Sequence, residues 1–434
     1  MNRFRYALKL NGFPIEKAEE KLVELKQNFL KNRSGFVEHH KWEIFNYHLE
    51  RNPFYQKFAG HRNIKKWEDI PVLTKQDLQT PLKNRLSKGF KEKEIFINKT
   101  SGSSGHPFIF AKDKFAHALS WAHILDLYQQ YDILIGKSLE ARFYGIQKDF
   151  IEYKKERLKD KMAKRYRFDI FDLSDENLSK FLKIFRQKPF EYINGYTSAI
   201  VVFAKFLENQ NVTLKDVCPS LKICITTSEM LFDSDRKLLE KQFGIPIINE
   251  YGAAEFGVLA FENKDKQWCL NQEIVYIEVI DDDGIVLKNG KEGHIVITSF
   301  FNKAHPFIRY KIGDIGKLNF TDIRQLILDK LIGRTNIFAH LPSGKKVPAL
   351  SFYYVTKSVI EANSNVKEIK VIQKTLDSFL IKYVAEDCLS PSDETKILKA
   401  IEKYLEFGLN IKFQQNEYLE RTERGKLRQF ESDL

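Results

Sequence analysis

The central part of the chain alternates short apolar runs with amphipathic segments. This pattern predicts strands at Tyr192–Asn194, Leu221–Thr226 and Ile245–Ile248, separated by helices at Thr197–Leu207 and Asp233–Phe243. Strands joined by crossover helices pair in parallel, so the order predicts a parallel sheet. Because ligands of such sheets gather beyond the carboxyl ends of the strands, we expect residues 227–229 and 250–255 to face a binding site. A side-chain cap from Thr197 or Ser198 is expected for the first helix.

The regions on either side have different patterns. Residues 1–75 are charged and helical in pattern, residues 271–318 predict β-hairpins, and Ser390-Pro391 predicts the start of a C-terminal helix. We expect an α/β fold with a large N-terminal domain, residues 1–332, of mixed and mainly parallel sheets with helices. This domain has a helical lead-in over 1–75 and a β-rich subdomain at about 271–332. A small, mobile α+β C-terminal domain, residues 335–434, follows.

The composition is that of a globular chain with a basic excess. Of the 434 residues, 43% are hydrophobic and 13% aromatic, and the net charge is +12. The aromatic content argues against disorder. No apolar run approaches the roughly 20 residues needed to cross a bilayer, no secretory signal is evident, and the four cysteines lack the spacing of a zinc site or a disulfide scaffold. These features predict a cytoplasmic protein.

The densest basic segment covers residues 148–167. We interpret it as the solvated face of a helix, in preference to a patch that attracts anionic substrates or a membrane surface. No nucleic-acid recognition module is visible, so we expect no nucleic-acid partner.

A glycine- and hydroxyl-rich segment lies between two apolar runs and consists of Thr100, Ser101, Gly102, Ser103, Ser104 and Gly105. Glycine lets backbone N–H groups approach an anion and the hydroxyls add donors, which suits a polyphosphate. An ordinary turn between two strands explains the composition equally well. The segment is not a P-loop, because His106-Pro107 stands where Lys-Ser/Thr is required, and it matches a dinucleotide motif only in part.

Four further segments follow along the chain: Tyr251–Glu255, Arg309–Asp314, Gly333-Arg334 and Arg421–Arg428. In order and spacing, the five segments resemble the adenylate-forming superfamily of acyl-CoA synthetases, peptide-synthetase adenylation domains and luciferases. The short length and the sequence around Tyr196 resemble the phenylacetate–CoA ligase branch, which includes capsular polysaccharide biosynthesis proteins. The resemblance covers roughly residues 65–434.

The resemblance implies an ATP site. Residues 100–105 would hold the β- and γ-phosphates, Tyr251 would stack on adenine, and Asp314 would accept hydrogen bonds from the ribose hydroxyls. Ordinary alternatives are a core aromatic for Tyr251 and a turn aspartate for Asp314. The other residues implied for ATP are Ser228, Glu229, Gly252 and Arg334.

Two residues are implied in the chemistry itself. Glu255 would ligate Mg²⁺, a hard cation that prefers oxygen ligands. Lys426 would bridge the carboxylate substrate and the α-phosphate of ATP, where positive charge offsets the repulsion of two anions. The alternatives are a surface carboxylate and one more lysine of a basic tail. The residues implied for the acid pocket are Tyr196, Ala253 and Phe256.

The implied function is an AMP-forming ligase that activates an aryl or acyl acid and transfers it to coenzyme A. Closure of the small domain about residues 333–334 would exclude water from the acyl-adenylate. Transfer to a sugar amine, an amino acid or a carrier protein is the second hypothesis. A retired, nucleotide-binding scaffold is the third, motivated by Ala254 and Asn336, which replace a hydroxyl residue and an acidic residue of the family pattern. Family relatives suggest a homodimer.

Overall fold

The computed structural model describes residues 2–99, 108–145, 150–321, 325–334, 338–348, 352, 355, 366–385, 387–421 and 427–434. The chain forms two compact units. The first unit comprises residues 1–136 and 249–332, and the second unit comprises residues 137–248 and 333–434. The expected division into domains 1–332 and 335–434 stays a prediction. Over the described ranges, no helix combines the length and the low polarity needed to span a bilayer.

Helices and strands alternate along much of the chain. The helices are α1 Arg3–Leu10, α2 Ile15–Lys31, α3 Arg33–Arg51, α4 Pro53–Ala59, α5 Lys114–Gln129, α6 Phe150–Ala163, α7 Asp175–Gln187, α8 Thr197–Asn209, α9 Leu214–Val217, α10 Asp233–Phe243 and α11 Pro391–Tyr404. The strands are β1 Phe96–Lys99, β2 Ile109–Lys112, β3 Glu140–Phe143, β4 Arg165–Arg167, β5 Tyr192–Tyr196, β6 Ile223–Thr227, β7 Ile247–Ala253, β8 Gly257–Glu262, β9 Trp268–Leu270, β10 Val275–Ile280, β11 Glu292–Ser299, β12 Tyr310–Phe320, β13 Leu326–Arg334, β14 Phe338–His340, β15 Lys346–Pro348, β16 Val366–Gln373, β17 Ser378–Ala385, β18 Asn410–Gln415 and β19 Phe430–Ser432.

The first unit packs helices against antiparallel strands. Its strand order is β10-β11-β12-β13-β9-β8-β7, and the hairpins β10–β11, β11–β12, β9–β8 and β8–β7 are antiparallel. The buried residues of α2 recur at helical spacing, which gives this helix one apolar face. Asp113 caps α5 by accepting the N–H of Ala116 at 2.8 Å.

The second unit contains the parallel sheet that the central alternation predicts. Its strands lie in the order β6-β5-β3-β4, and each neighbouring pair is parallel. Phenylalanines fill its core, where Phe168 and Phe185 stack with ring centroids 5.2 Å apart. Gly195 on β5 is required there, because a Cβ would lie 2.4 Å from the Cβ of Phe143 on β3. The α/β fold class is therefore confirmed.

The C-terminal part of the second unit combines a four-stranded sheet with helix α11. Strands β18-β17-β16-β19 form a mixed sheet, with β16 and β17 antiparallel and the outer pairs parallel. Ser390 caps α11 and Pro391 occupies its first turn, as predicted.

Some arginines of the basic segment 148–167 form ion pairs with carboxylates of the same unit. Arg167 binds Asp160 at 2.7 Å, and Arg165 binds the buried Glu140 at 2.7 Å. These ion pairs support the structural interpretation of the segment over a binding patch.

Candidate functional site

The hairpin of β7 and β8 carries the segment Tyr251–Glu255. Its first three residues belong to β7, and residues 254–256 form the turn. The expectation that the strand ends at Ile248 is wrong, because antiparallel pairing with β8 extends it. A Cβ on Gly252 would lie 2.9 Å from the carbonyl oxygen of Gly257, so this close approach favours glycine.

Two of the residues implied for ATP contact each other. The hydroxyl of Tyr251 on β7 donates to Oδ2 of Asp314 on β12 at 2.7 Å. The two residues are 8% and 7% exposed. A hydrogen bond to a carboxylate is stronger than one between neutral groups, so this contact orients the carboxylate. An oriented carboxylate is the acceptor that a pair of ribose hydroxyls requires.

A buried lysine lies beside Glu255. Lys112, the last residue of β2, is 5% exposed and lines a cavity of about 10 Å³ with Glu255, Phe256 and Ser120. Burial lowers the pKa of Lys112 to about 8, and the negative charge of Glu255 opposes that shift. The sequence analysis missed this residue. Strand alternation could have found it, since Lys112 is two positions after the buried Phe110 and lies on the same face.

Hydrogen bonds on both sides of Lys112 fix its position. Nδ2 of Asn302 donates to the carbonyl oxygen of Ala111 at 2.9 Å, and Oδ1 of Asn302 accepts the N–H of Asp113 at 3.2 Å. Asp113 in turn accepts the N–H of Lys303 at 2.8 Å. The end of β2 is therefore held to residues 302–303, which fixes the backbone from which the Lys112 side chain extends.

Glu255 has the donor chemistry that would suit a magnesium ion arriving with ATP. Proteins commonly contribute one or two carboxylates to Mg²⁺, whose other ligands are water and phosphate oxygens. Glu255 is buried at the wall of the cavity and provides one carboxylate. Because the cationic Lys112 lies beside it, Glu255 is suited to a metal whose charge is offset by phosphates rather than to a bare ion.

Two of the three residues implied for the acid pocket are buried against aromatic rings, and the third, Ala253, is half-buried. Phe256 is buried and meets Phe307 edge to face with centroids 5.1 Å apart, and Ala253 ends β7. In the second unit, Tyr196 is buried between β5 and α8, and its ring lies 4.5 Å from that of Tyr144. Their meeting in one pocket stays a prediction.

In the second unit, Glu229 caps α8. Ser228 has a φ of +67°, an uncommon conformation for a residue with a side chain. Oε2 of Glu229 accepts the N–H of Ser198 at 2.7 Å, and the Thr197 hydroxyl donates to the Glu229 carbonyl oxygen at 3.3 Å. The predicted cap by Thr197 or Ser198 is wrong. The N-cap residue is Tyr196, which makes no side-chain cap bond, and the Glu229 carboxylate satisfies the helix end instead.

The first residue of the segment Arg421–Arg428 contacts the same helix end. Nη1 of Arg421 donates to the Ser198 hydroxyl at 3.3 Å, and Nη2 pairs with Glu368. Burial raises the pKa of Glu368, Arg421 opposes the shift, and the charge of Glu229 adds to it. The second unit thus gathers two carboxylates and one guanidinium at the start of α8.

The other implied residues lie outside the described part of the structure. They are Thr100, Ser101, Gly102, Ser103, Ser104, Gly105 and Lys426, together with the side chain of Arg334 at the end of β13. The strands before and after residues 100–107 pair antiparallel, with Lys99 opposite Ile109. The roles of these residues stay predictions.

Comparison with known proteins gives one relative that covers most of the chain and others that cover about a third of it. No protein-family model matches. Protein CapK of Staphylococcus aureus is 23% identical over 393 residues, which cover 86% of this chain and 82% of CapK. Phenylacetate–coenzyme A ligase of Pseudomonas putida is 28% identical over 162 residues, 36% of either chain.

Solved structures share the fold. 2-Hydroxyisobutyryl-CoA ligase in the postadenylation state, in complex with R3-HIB-AMP, matches with a TM-score of 0.70 at 16% identity, over 93% of this chain and 90% of the ligase. Anthranilate CoA ligase AuaEII in complex with anthranoyl-AMP matches with a TM-score of 0.53 at 14% identity, over 79% and 66% of the two chains. The resemblance to adenylate-forming ligases and to their phenylacetate–CoA ligase branch is confirmed.

Proposed function

We propose that this chain, which is similar in sequence to phenylacetate–coenzyme A ligases and in fold to 2-hydroxyisobutyryl-CoA ligase, is an enzyme that activates a carboxylic acid with ATP. The substrate carboxylate attacks the α-phosphate and expels pyrophosphate, and an acceptor then attacks the acyl-adenylate and releases AMP. The observation that carries the proposal is the buried contact between Tyr251 and Asp314. It joins two motifs that are far apart in the sequence, and the family resemblance implies that one contacts the adenine and the other the ribose of the same ATP.

Several residues of the first unit are proposed to bind Mg·ATP. In this proposal Asp314 accepts hydrogen bonds from the ribose hydroxyls. The ring of Tyr251 stacks on adenine, and Glu255 ligates the magnesium ion of Mg·ATP. Lys112 adds a positive charge beside Glu255, where it reduces the repulsion between the acid and the phosphates.

Further roles are proposed for residues that the sequence motifs supply. Residues 100–105 hold the terminal phosphates, Arg334 lies near the ribose or phosphate, and Glu229 with Ser228 borders the adenine. Lys426 bridges the carboxylate and the α-phosphate. Movement of residues 335–434 about the junction at 333–334 closes the site against water, which protects the hydrolysable intermediate.

Coenzyme A is the proposed acceptor and an aryl or acyl acid the proposed substrate. Homology to phenylacetate–coenzyme A ligases supports the thiol acceptor. A cytoplasmic, homodimeric enzyme is part of the same proposal.

A second candidate keeps the adenylation and changes the acceptor to a sugar amine, an amino acid or a carrier protein in surface polysaccharide synthesis. It is favoured by the homology to CapK, which extends over 86% of this chain. The similarity of fold to an amide bond synthetase, McbA, with a TM-score of 0.53, agrees with an amine acceptor.

Acid-dependent exchange of labelled pyrophosphate into ATP tests the first half-reaction. We expect exchange with at least one acid of an aryl and acyl library, and loss of exchange on removal of Mg²⁺. Lys426→Ala and Lys112→Met should reduce it, whereas Lys412→Ala, an exposed lysine of the same C-terminal segment as Lys426, is the matched control and should not. ATP binding without exchange for any acid would favour the retired scaffold.

The acceptor is tested with the acid that supports exchange. The pre-formed acyl-adenylate is mixed with coenzyme A, amino sugars or amino acids, and the products are identified by mass spectrometry. A thioester formed at the rate of adenylate consumption supports coenzyme A. An amide, with no thioester, supports the second candidate.

A further inference from the structure

One face of α3 carries a cluster of metal-ligating side chains in the first unit. His39, His40 and Glu43 each offer one ligand atom, and these atoms all lie within 4.8 Å of one another. Residues three and four apart on a helix are neighbours on its surface, which brings both imidazoles to the carboxylate. We propose that these three residues bind a divalent transition-metal ion of the zinc class.

One of the three separations, that of the ion pair between His39 and Glu43, is close to that in a metal site, and the other two are at most 4.8 Å. Nε2 of His39 lies 3.7 Å from Oε2 of Glu43. Two ligands at about 2.0–2.1 Å from a tetrahedral zinc ion are about 3.4 Å apart, so this pair needs little adjustment. Zinc accepts two imidazole nitrogens together with one carboxylate oxygen, whereas Mg²⁺ prefers oxygen and seldom takes imidazole.

A backbone hydrogen bond holds the third ligand, His40, in one tautomer. Nδ1 of His40 lies 2.9 Å from the carbonyl oxygen of Phe36. A carbonyl can only accept, so Nδ1 carries the proton and the lone pair is on Nε2. A backbone carbonyl that fixes a histidine in this way is the usual outer partner of a metal-bound imidazole. The rings of Phe36 and Phe300, at centroid distances of 4.2 and 5.6 Å, limit the rotation of His40.

The cluster opens onto a cavity of about 1030 Å³, whose wall includes His39, His40 and Glu43. Three protein ligands leave one position of a four-coordinate ion for water or another small donor, which the cavity has room to hold. Lys21 also lines the cavity, and its charge would oppose a cation. It is paired with Glu24 at 2.7 Å, which offsets that charge.

The simpler explanation is a surface ion pair between His39 and Glu43, both of which are exposed. In that explanation His40 does not take part in the interaction, and no saturable metal binding is expected. The two explanations therefore differ in stoichiometry and in the effect of changing His40.

Titration of Zn²⁺ into the full-length chain, without a polyhistidine tag and after treatment with a chelator, tests the proposal. We expect one equivalent to bind by calorimetry. The single variants His39→Ala, His40→Ala and Glu43→Gln should each weaken binding by at least about tenfold. His61→Ala changes an exposed histidine elsewhere in the first unit and should bind as wild type does.

Circular dichroism of each variant establishes that it is folded, and Co²⁺ absorption spectra report the coordination independently of enzyme activity. Tetrahedral Co²⁺ bands in the wild type that are lost in His40→Ala support the site. Absence of one-equivalent binding in the wild type overturns it, as do three variants that bind like the wild type.

Discussion

Replacing Tyr251 by phenylalanine removes one hydroxyl and keeps the ring. That hydroxyl donates to Asp314 at 2.7 Å, and both residues are buried. A hydrogen bond to a charged group contributes about 1.5–3 kcal/mol to stability. We expect the free energy of unfolding of Tyr251→Phe to fall by about that amount, seen as a lower urea midpoint.

The same change should have a smaller effect on ATP binding. Without the hydroxyl of Tyr251, the Asp314 carboxylate gains rotational freedom, and ordering it around the ribose costs about 0.5–1.5 kcal/mol. Since about 1.36 kcal/mol is a factor of ten, the Kd for ATP should rise about 2- to 13-fold. Asp314→Asn removes the charged acceptor itself, so we expect a larger loss. In that background Tyr251→Phe should add little.

Calorimetric titration of ATP into the wild type, both single variants and the double variant measures this coupling. Tyr131→Phe is the matched control, because its hydroxyl donates to the backbone carbonyl of Glu262 at 2.8 Å in the same unit and has no proposed role at the nucleotide. Unchanged ATP affinity in Asp314→Asn would refute the reasoning. Fully additive losses for Tyr251 and Asp314 would show that their contact does not position the ribose acceptor.

Three further changes test packing and acid stability. Gly195→Ala places a Cβ 2.4 Å from the Cβ of Phe143, so we expect a loss of about 1–3 kcal/mol in the free energy of unfolding, measured by urea denaturation. Arg309→Met removes the guanidinium that pairs with the buried carboxylate of Glu278 at 2.6 Å, so we expect the free energy of unfolding to fall by about 3–5 kcal/mol. Adding Glu278→Leu to this variant should restore part of the lost stability. Burial lowers the pKa of His48 to about 4, below the 6.5 of an unperturbed imidazole. The unfolded chain therefore takes up this proton first, so stability is lost as the pH falls from about 6.5 to 4, and the melting temperature of His48→Gln should fall less over that range.

Each of these expectations has a contrary outcome. If Gly195→Ala had the free energy of unfolding of the wild type, β3 and β5 would be able to move apart and accept the new methyl group with no loss of stability. A double variant of Arg309 and Glu278 that is no more stable than Arg309→Met would remove the unpaired carboxylate as the cause. Identical acid profiles for the wild type and His48→Gln would assign the acid sensitivity to other groups.

Much of the fold could be predicted from local signals. The alternation at residues 192–248 predicts the parallel strands β5 and β6, and Ser390-Pro391 predicts the start of α11. These signals work because the side-chain period of a helix or strand, and the chemistry of a helix cap, depend on residues within a few positions of each other. The predicted strand end at Ile248 is wrong because β8, a later segment of the chain, pairs with β7 and extends it to Ala253.

The sequence contains the motifs, and their resemblance to those of adenylate-forming enzymes implied Tyr251, Glu255 and Asp314 as site residues. Only the tertiary structure brought the hydroxyl of Tyr251 to Asp314, 63 residues away, and buried Lys112 beside Glu255. It also assigned the cap of α8 to Glu229. Each of these contacts joins segments that are far apart in the chain. The burial and the charge partners of a residue depend on the distant segment that packs against it, and local periodicity does not encode which segment that is.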